Sequence, residues 1–218
     1  MGMATRVTAV VLGVAVGAAL IAYYIVGYLM ATPPVVAATG MAPSVRLTLQ
    51  TVASYGHEPH TDWVSYLAQN PEGKWVHSTI LRVPANSLVH VKIYQYDTAT
   101  GLRNPFWGLP EGITGGTMTV DGKPLKRLNP DLASHTFAIP DLGVTVPLKG
   151  VADDAKNQCS VAPCTLAQAH TTIEFTFRTG KRGIFRWQCF VPCAAGFILG
   201  FGGPMQTLGW MDGELEVV

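Results

Sequence analysis

The chain has 218 residues, of which 13% are charged, with a formal net charge of +1, so it has no electrostatic footprint for nucleic acid. A hydrophobic content of 48% at this length leaves room for one domain with its own core and for a membrane segment. The sequence contains no glycine-rich phosphate loop, no Gly-x-Ser-x-Gly elbow and no His-Glu-x-x-His, which leaves nucleotide and hydrolase chemistry without support.

Residues 7–30 form an uncharged apolar run. A helix needs about 20 such residues to cross a bilayer, so residues 1–31 read as a single-pass transmembrane anchor. A cleavable signal peptide is the competing reading, but its apolar region usually spans only ~7–15 residues. Arg6 precedes the run and the next Lys or Arg is Arg46, which puts the amino terminus in the cytoplasm and the rest of the chain outside the cell membrane. Tyr23, Tyr24 and Tyr28 gather toward the outer half, where amphipathic rings suit the interface. Gly13 and Gly17 have the spacing that lets a second helix approach, although apolar helices often carry such pairs by chance.

Residues 32–43 are rich in Pro, Ala, Gly and Thr and read as a linker. The remainder, 44–218, has the usual size of one domain, and its short alternating apolar runs predict an all-β sandwich. Val45–Val52 alternates as a first strand. Trp75–Val83 and Ser87–Tyr96 read as further strands joined around Pro84-Ala85-Asn86. Asp121-Gly122 marks the tip of a hairpin within Met118–Pro124. Thr171–Arg178 alternates again, and Thr179–Gly183 turns it toward Ile184–Gln188, a last hairpin that delivers Cys189 to the edge of the sandwich. The long connection from Asp97 to Leu128 is of a size that often carries function, either covering one end of the domain or touching another subunit.

The four cysteines of an external domain agree with an oxidising compartment. Cys159-Ser-Val-Ala-Pro-Cys164 closes a short loop of small residues and reads as a local disulfide. Cys189 and Cys193 are then either metal ligands or a second disulfide; four cysteines allow three pairings, and the sequence does not choose among them.

Three segments carry the chemistry: Ser134-His135-Thr136-Phe137-Ala138-Ile139-Pro140-Asp141-Leu142-Gly143-Val144, then Gly183-Ile-Phe-Arg-Trp-Gln-Cys189-Phe-Val-Pro-Cys193, then Met211-Asp-Gly-Glu-Leu-Glu-Val217. Thiolate and thioether donors suit copper. Over roughly residues 80–218 the chain resembles the copper-A domain of cytochrome c oxidase subunit II and its cupredoxin relatives. That family reads His-Ser-Phe-x-Ile/Val-Pro-x-Leu-Gly-Val in the first segment and Gly-x-Tyr-x-x-Gln-Cys-Ser-Glu-x-Cys-Gly-x-x-His-x-x-Met in the second. The resemblance implies a cupredoxin-like Greek-key β-sandwich; the apolar run adds one N-terminal transmembrane helix, where the family usually has two. The resemblance also implies copper as cofactor, with His135, Cys189, Cys193 and Met211 as metal ligands.

The second segment departs from the family pattern. Val191 stands where the family has the Glu whose carbonyl binds copper, Phe197 at the loop His and Gly200 at the loop Met. The departures imply a copper site that is altered or empty. A mononuclear site from His135, Cys189 and either Met211 or Met205 would need another imidazole, and His57, His60, His77, His90 and His170 occupy no position the family uses.

The implied function is that of a subunit II-like component of a respiratory haem-copper oxidase, in electron transfer or as a docking subunit, and itself a non-catalytic part of an oxidoreductase complex. Its partners would be other membrane subunits and a redox protein. A free-standing anchored cupredoxin that carries electrons or delivers copper is the second reading. A structural subunit of another copper-dependent membrane complex is the third.

Overall fold

The computed structural model describes residues 2–29, 32–57, 60–193 and 203–218, in two compact units that divide between Thr32 and Pro33. The first is helix α1 (Met3–Tyr24), which ends in a wider π turn over Ile25–Leu29. The stretch Met3–Gly27 has a mean hydropathy of 2.4 and is long and apolar enough to cross a membrane.

The second unit is all-β. Its strands, in chain order, are β1 (Val36–Ala37), β2 (Thr39–Met41), β3 (Ser44–His57), β4 (His60–Gln69), β5 (Trp75–Val76), β6 (Ile80–Val83), β7 (Leu88–Gln95), β8 (Met118–Val120), β9 (Lys123–Leu125), β10 (Ala133–Ile139), β11 (Val144–Lys149), β12 (Thr171–Arg178), β13 (Gly183–Gln188) and β14 (Asp212–Val217). One sheet runs β1-β6-β14-β13-β10-β11 and the other β5-β4-β3-β7-β12-β8-β9, with β2 paired to β3. Most neighbours are antiparallel, but β3 lies parallel to β7, and β6 lies parallel to both β14 and β1, where the chain crosses between the sheets.

Period-two alternation builds the core. Ile173, Phe175 and Phe177 from β12 and Val89, Val91 and Ile93 from β7 point inward, where they meet Phe137, Val146 and Leu215 of the other sheet in a single cluster. Trp187, on β13, is fully buried; its indole N–H donates to the Thr79 carbonyl at 2.9 Å and its ring meets Tyr66 edge-on. Gly213 lies opposite on β14, where a Cβ would strike the Thr79 carbonyl and the Trp187 nitrogen. The absent side chain lets the two strands and the indole pack flush.

The all-β sandwich and the apolar N-terminal helix are as expected, but several connections are not. Residues 32–43 are not wholly a linker. Val36 is buried, β1 pairs with β6, and the Ala38 N–H donates to the Arg82 carbonyl at 2.8 Å. Trp75–Val83 is not one strand. β5 pairs with β4 in one sheet and β6 with β14 in the other, and the chain changes sheet at His77–Thr79. Thr179–Gly183 likewise leads from β12 across to the opposite sheet, so Thr171–Gln188 is not a hairpin. Alternation marks each strand but does not name its partner. The hairpin at Asp121-Gly122 does form, with positive φ at both residues.

Cys159 and Cys164 are joined as a disulfide. Their loop lies on a satellite apolar cluster of Val52, Leu67 and Tyr96 on the outer side of the second sheet. The Cys164 N–H donates to Gln50 Oε1 at 2.7 Å, tying the loop to β3.

Candidate metal centre

One end of the sandwich gathers the chemically active side chains. The register of β10 against β11 shifts between Ala133 and His135, an irregularity of the kind that re-aims a side chain, and the imidazole of His135 is 2% exposed. Cys189 leaves the end of β13 with its N–H donating to the Met211 carbonyl at 2.9 Å, so the strand ladder still holds it. The chain then turns over Phe190–Pro192 and returns Cys193 beside it. The Phe190 N–H donates to Thr136 Oγ1 at 2.8 Å, which pins this turn to β10.

The donor atoms converge. His135 Nδ1 lies 3.0 Å from Cys193 Sγ and 3.8 Å from Cys189 Sγ, and the two sulfurs are 3.1 Å apart. Both thiols are free and buried, well beyond the ~2.05 Å of a disulfide bond. The Val191 carbonyl accepts from Cys193 Sγ at 3.0 Å and from Cys189 Sγ at 3.5 Å. Val191 thus presents its backbone oxygen to both sulfurs, whatever its side chain. Met205 Sδ accepts the Cys193 N–H at 3.2 Å. Met211 is fully buried in the core, and its backbone is held at both ends, by Pro204 and by Cys189.

Sequence reasoning missed Asp97. It lies just past the end of β7, 38 residues before His135, and its Oδ2 accepts from His135 Nε2 at 2.8 Å. Its only signal in the sequence is its place as an acid just after an apolar strand, at the start of the long connection to Leu128. The rest of that connection folds into short turns and the β8-β9 hairpin, and Trp107 packs against the core.

The site is electrostatically coupled. Burial alone would lower the His135 pKa, but the hydrogen bonds and charges of Asp97 and Cys189 outweigh it and push it up to about 9. Burial works against the Cys189 thiolate, yet contacts from Cys193, His135 and the Thr136 N–H hold its pKa well below the usual thiol range. Cys193 goes the other way, raised by its contact with Cys189 and by burial. The metal-free domain is thus expected to carry one thiolate, on Cys189, beside a His135 imidazolium at neutral pH. Far-ultraviolet thiolate absorbance should show one ionised sulfur at neutral pH, which Cys189→Ser removes.

Among the described residues, His135, Cys189 and Cys193 are the one group of His, Cys, Asp and Glu whose donor atoms all lie within 4.8 Å of one another. The other described histidines are engaged elsewhere: His77 with Ser65 and the Tyr55 ring, His90 with Ser44 and Thr176, His170 with the Gln168 carbonyl. The side chains of His57 and His60, and the whole of Phe197 and Gly200, lie outside the described residues. Two thiols, an imidazole nitrogen and a carbonyl turned on one dry point fit a soft metal such as copper. No second imidazole for a binuclear centre is placed there among the described residues.

No family model and no curated protein matches this sequence. Solved structures similar to it include rusticyanin from Thiobacillus ferrooxidans, at 14% identity and a TM-score of 0.37, covering 86% of this chain and 86% of that one. The metal-binding domain of the Streptococcus pneumoniae D39 Cu(I)-exporting ATPase CopA is 9% identical with a TM-score of 0.37, over 86% of this chain and 99% of that one. A chain of a haem-copper terminal oxidase dimer is 13% identical with a TM-score of 0.32, over 98% of this chain and 97% of that one. At these identities and scores the likenesses establish no family, and what the end of the sandwich can bind follows from its own donors.

Proposed function

We propose that this chain is a membrane-anchored, cupredoxin-like subunit of the subunit II type in a respiratory haem-copper oxidase complex, with copper held at the His135 end of its sandwich. One observation carries the reading: His135 Nδ1, both cysteine sulfurs and the Val191 carbonyl converge where no water-facing surface interrupts them. His135, Cys189 and Cys193 would hold the metal, with the Val191 carbonyl and a thioether, Met211 or Met205, as weaker donors. Bound copper would supply a one-electron Cu(I)/Cu(II) couple.

The chain's own contribution is to keep that point dry and rigid. Thr136 holds both Cys189 Sγ and the Phe190 N–H, and the β13-β14 ladder fixes the approach. A stiff ligand set costs little rearrangement when charge changes by one unit, which favours electron relay over substrate chemistry. In this reading α1 is a single-pass anchor with its amino terminus in the cytoplasm, and the β-unit works on the outer face against other membrane subunits and a redox donor.

Two measurements on the full-length protein in mild detergent test the reading. Copper, rather than zinc, should bind after reduction and reconstitution, with a spin-resonance and visible signature of thiolate ligation. The protein should also copurify with a haem-containing membrane complex. A protein that takes up no copper overturns the site, and copper without the haem complex favours a free-standing carrier.

A further inference from the structure

We infer that Asp97 is a positioning residue for this centre: it holds His135 with the proton on Nε2 and so commits Nδ1 to face Cys189 and Cys193. The inference rests on the copper reading above for its purpose, though not for its geometry.

An imidazole can present either nitrogen, and the partner of one decides which is free. Here the ring is nearly sealed from water, so a lost Nε2 partner is not replaced by solvent. Asp97 Oδ2 sits 2.8 Å from Nε2, while its Oδ1 accepts the Thr98 N–H at 2.8 Å, so the carboxylate cannot rotate away from the ring. The Asp97 carbonyl in turn accepts the Val151 N–H at 2.9 Å and Gln95 Nε2 at 3.2 Å. Gly150 lets this segment lie close, because a Cβ there would press into the backbone of Thr98 and Ala99. The carboxylate is 23% exposed, which lets water share its charge while the imidazole stays dry. Orientation by an outer carboxylate fixes both the tautomer and the ring of a ligating histidine, and losing such a partner typically weakens metal binding about 10–100-fold.

The test uses Asp97→Ala and Asp97→Asn in the full chain. Nitrogen-15 imidazole spectra of the metal-free wild type, followed through a pH series to the neutral ring, should show the proton on Nε2, facing Asp97 Oδ2. Competition for Cu(I) against bicinchoninate should show Asp97→Ala binding about 10–100-fold more weakly. Asp97→Asn, which keeps an acceptor oxygen without the charge, should lose less. Should the alanine variant fail to fold, the asparagine variant and the wild-type spectrum still decide. A wild-type proton on Nδ1, or an alanine variant that binds Cu(I) as tightly as wild type, overturns the inference. Wild-type protein that binds no copper at all overturns the proposed function, while its metal-free spectrum still tests the role of Asp97.

Discussion

Cys189→Ser is expected to strip copper from the domain while leaving the sandwich folded. The sulfur is fully buried, and its polar contacts include Cys193 Sγ at 3.1 Å, the Thr136 N–H at 3.4 Å, the Val191 carbonyl at 3.5 Å and His135 Nδ1 at 3.8 Å; a serine hydroxyl, with one donor and two acceptor sites, can meet this mixed set. The metal has no such substitute. Cys189 is the cysteine whose pKa is held well down, so it is the thiolate ready to bind without first losing a proton. A hydroxyl is hard and stays protonated, whereas the soft anionic donor is what selects copper. Removal of a direct ligand should exceed the ~10–100-fold cost of removing an outer partner, so Cu(I) competition should register a loss of more than about 100-fold. Cys193→Ser should lose less, since it leaves the Cys189 thiolate, His135 and the Val191 carbonyl in place. Equal losses in the two variants would contradict this ranking.

The centre was legible in the sequence to the extent that it is local. Cys189 and Cys193 share one turn, and the four-residue spacing that brings their sulfurs to 3.1 Å is visible as letters. His135 was legible because Phe137, Ile139, Pro140, Leu142 and Gly143 follow it in a recognisable run. Asp97 was not, because its only tie to His135 runs across the sandwich from a different sheet. The same limit governs the fold. Leu88–Gln95 and Thr171–Arg178 show as strands because each buries alternate residues, but their pairing to each other is a tertiary fact. β10 could not show alternation, since all seven of its residues are buried on both faces. β1 was hidden by its Pro- and Ala-rich surroundings, although two residues suffice to extend a sheet edge.

Trp187→Ala should cost about 3–5 kcal/mol, the range for truncating a buried large aromatic. That is a large share of the roughly 5–15 kcal/mol that holds a domain folded. The indole fills the space between the sheets, edge-on to Tyr66 at 5.0 Å and tilted on Phe137 at 4.8 Å. Gly213 has no side chain to fill that volume, and Thr79 is held by its own bonds to Asp212 and Gly209. Tyr66→Phe is the matched control: it removes only the hydroxyl bond to the Thr136 carbonyl and should cost about 1 kcal/mol. Both variants are to be compared by urea unfolding with and without copper. A ligand that binds only the folded state raises stability by an amount set by its own affinity. Cys189 keeps its backbone bond to Met211 when Trp187 is cut back, so the increment from copper should survive even as the baseline falls. An increment that shrinks with the baseline would mean that the indole, two residues from Cys189, shapes the ligand set as well as the core.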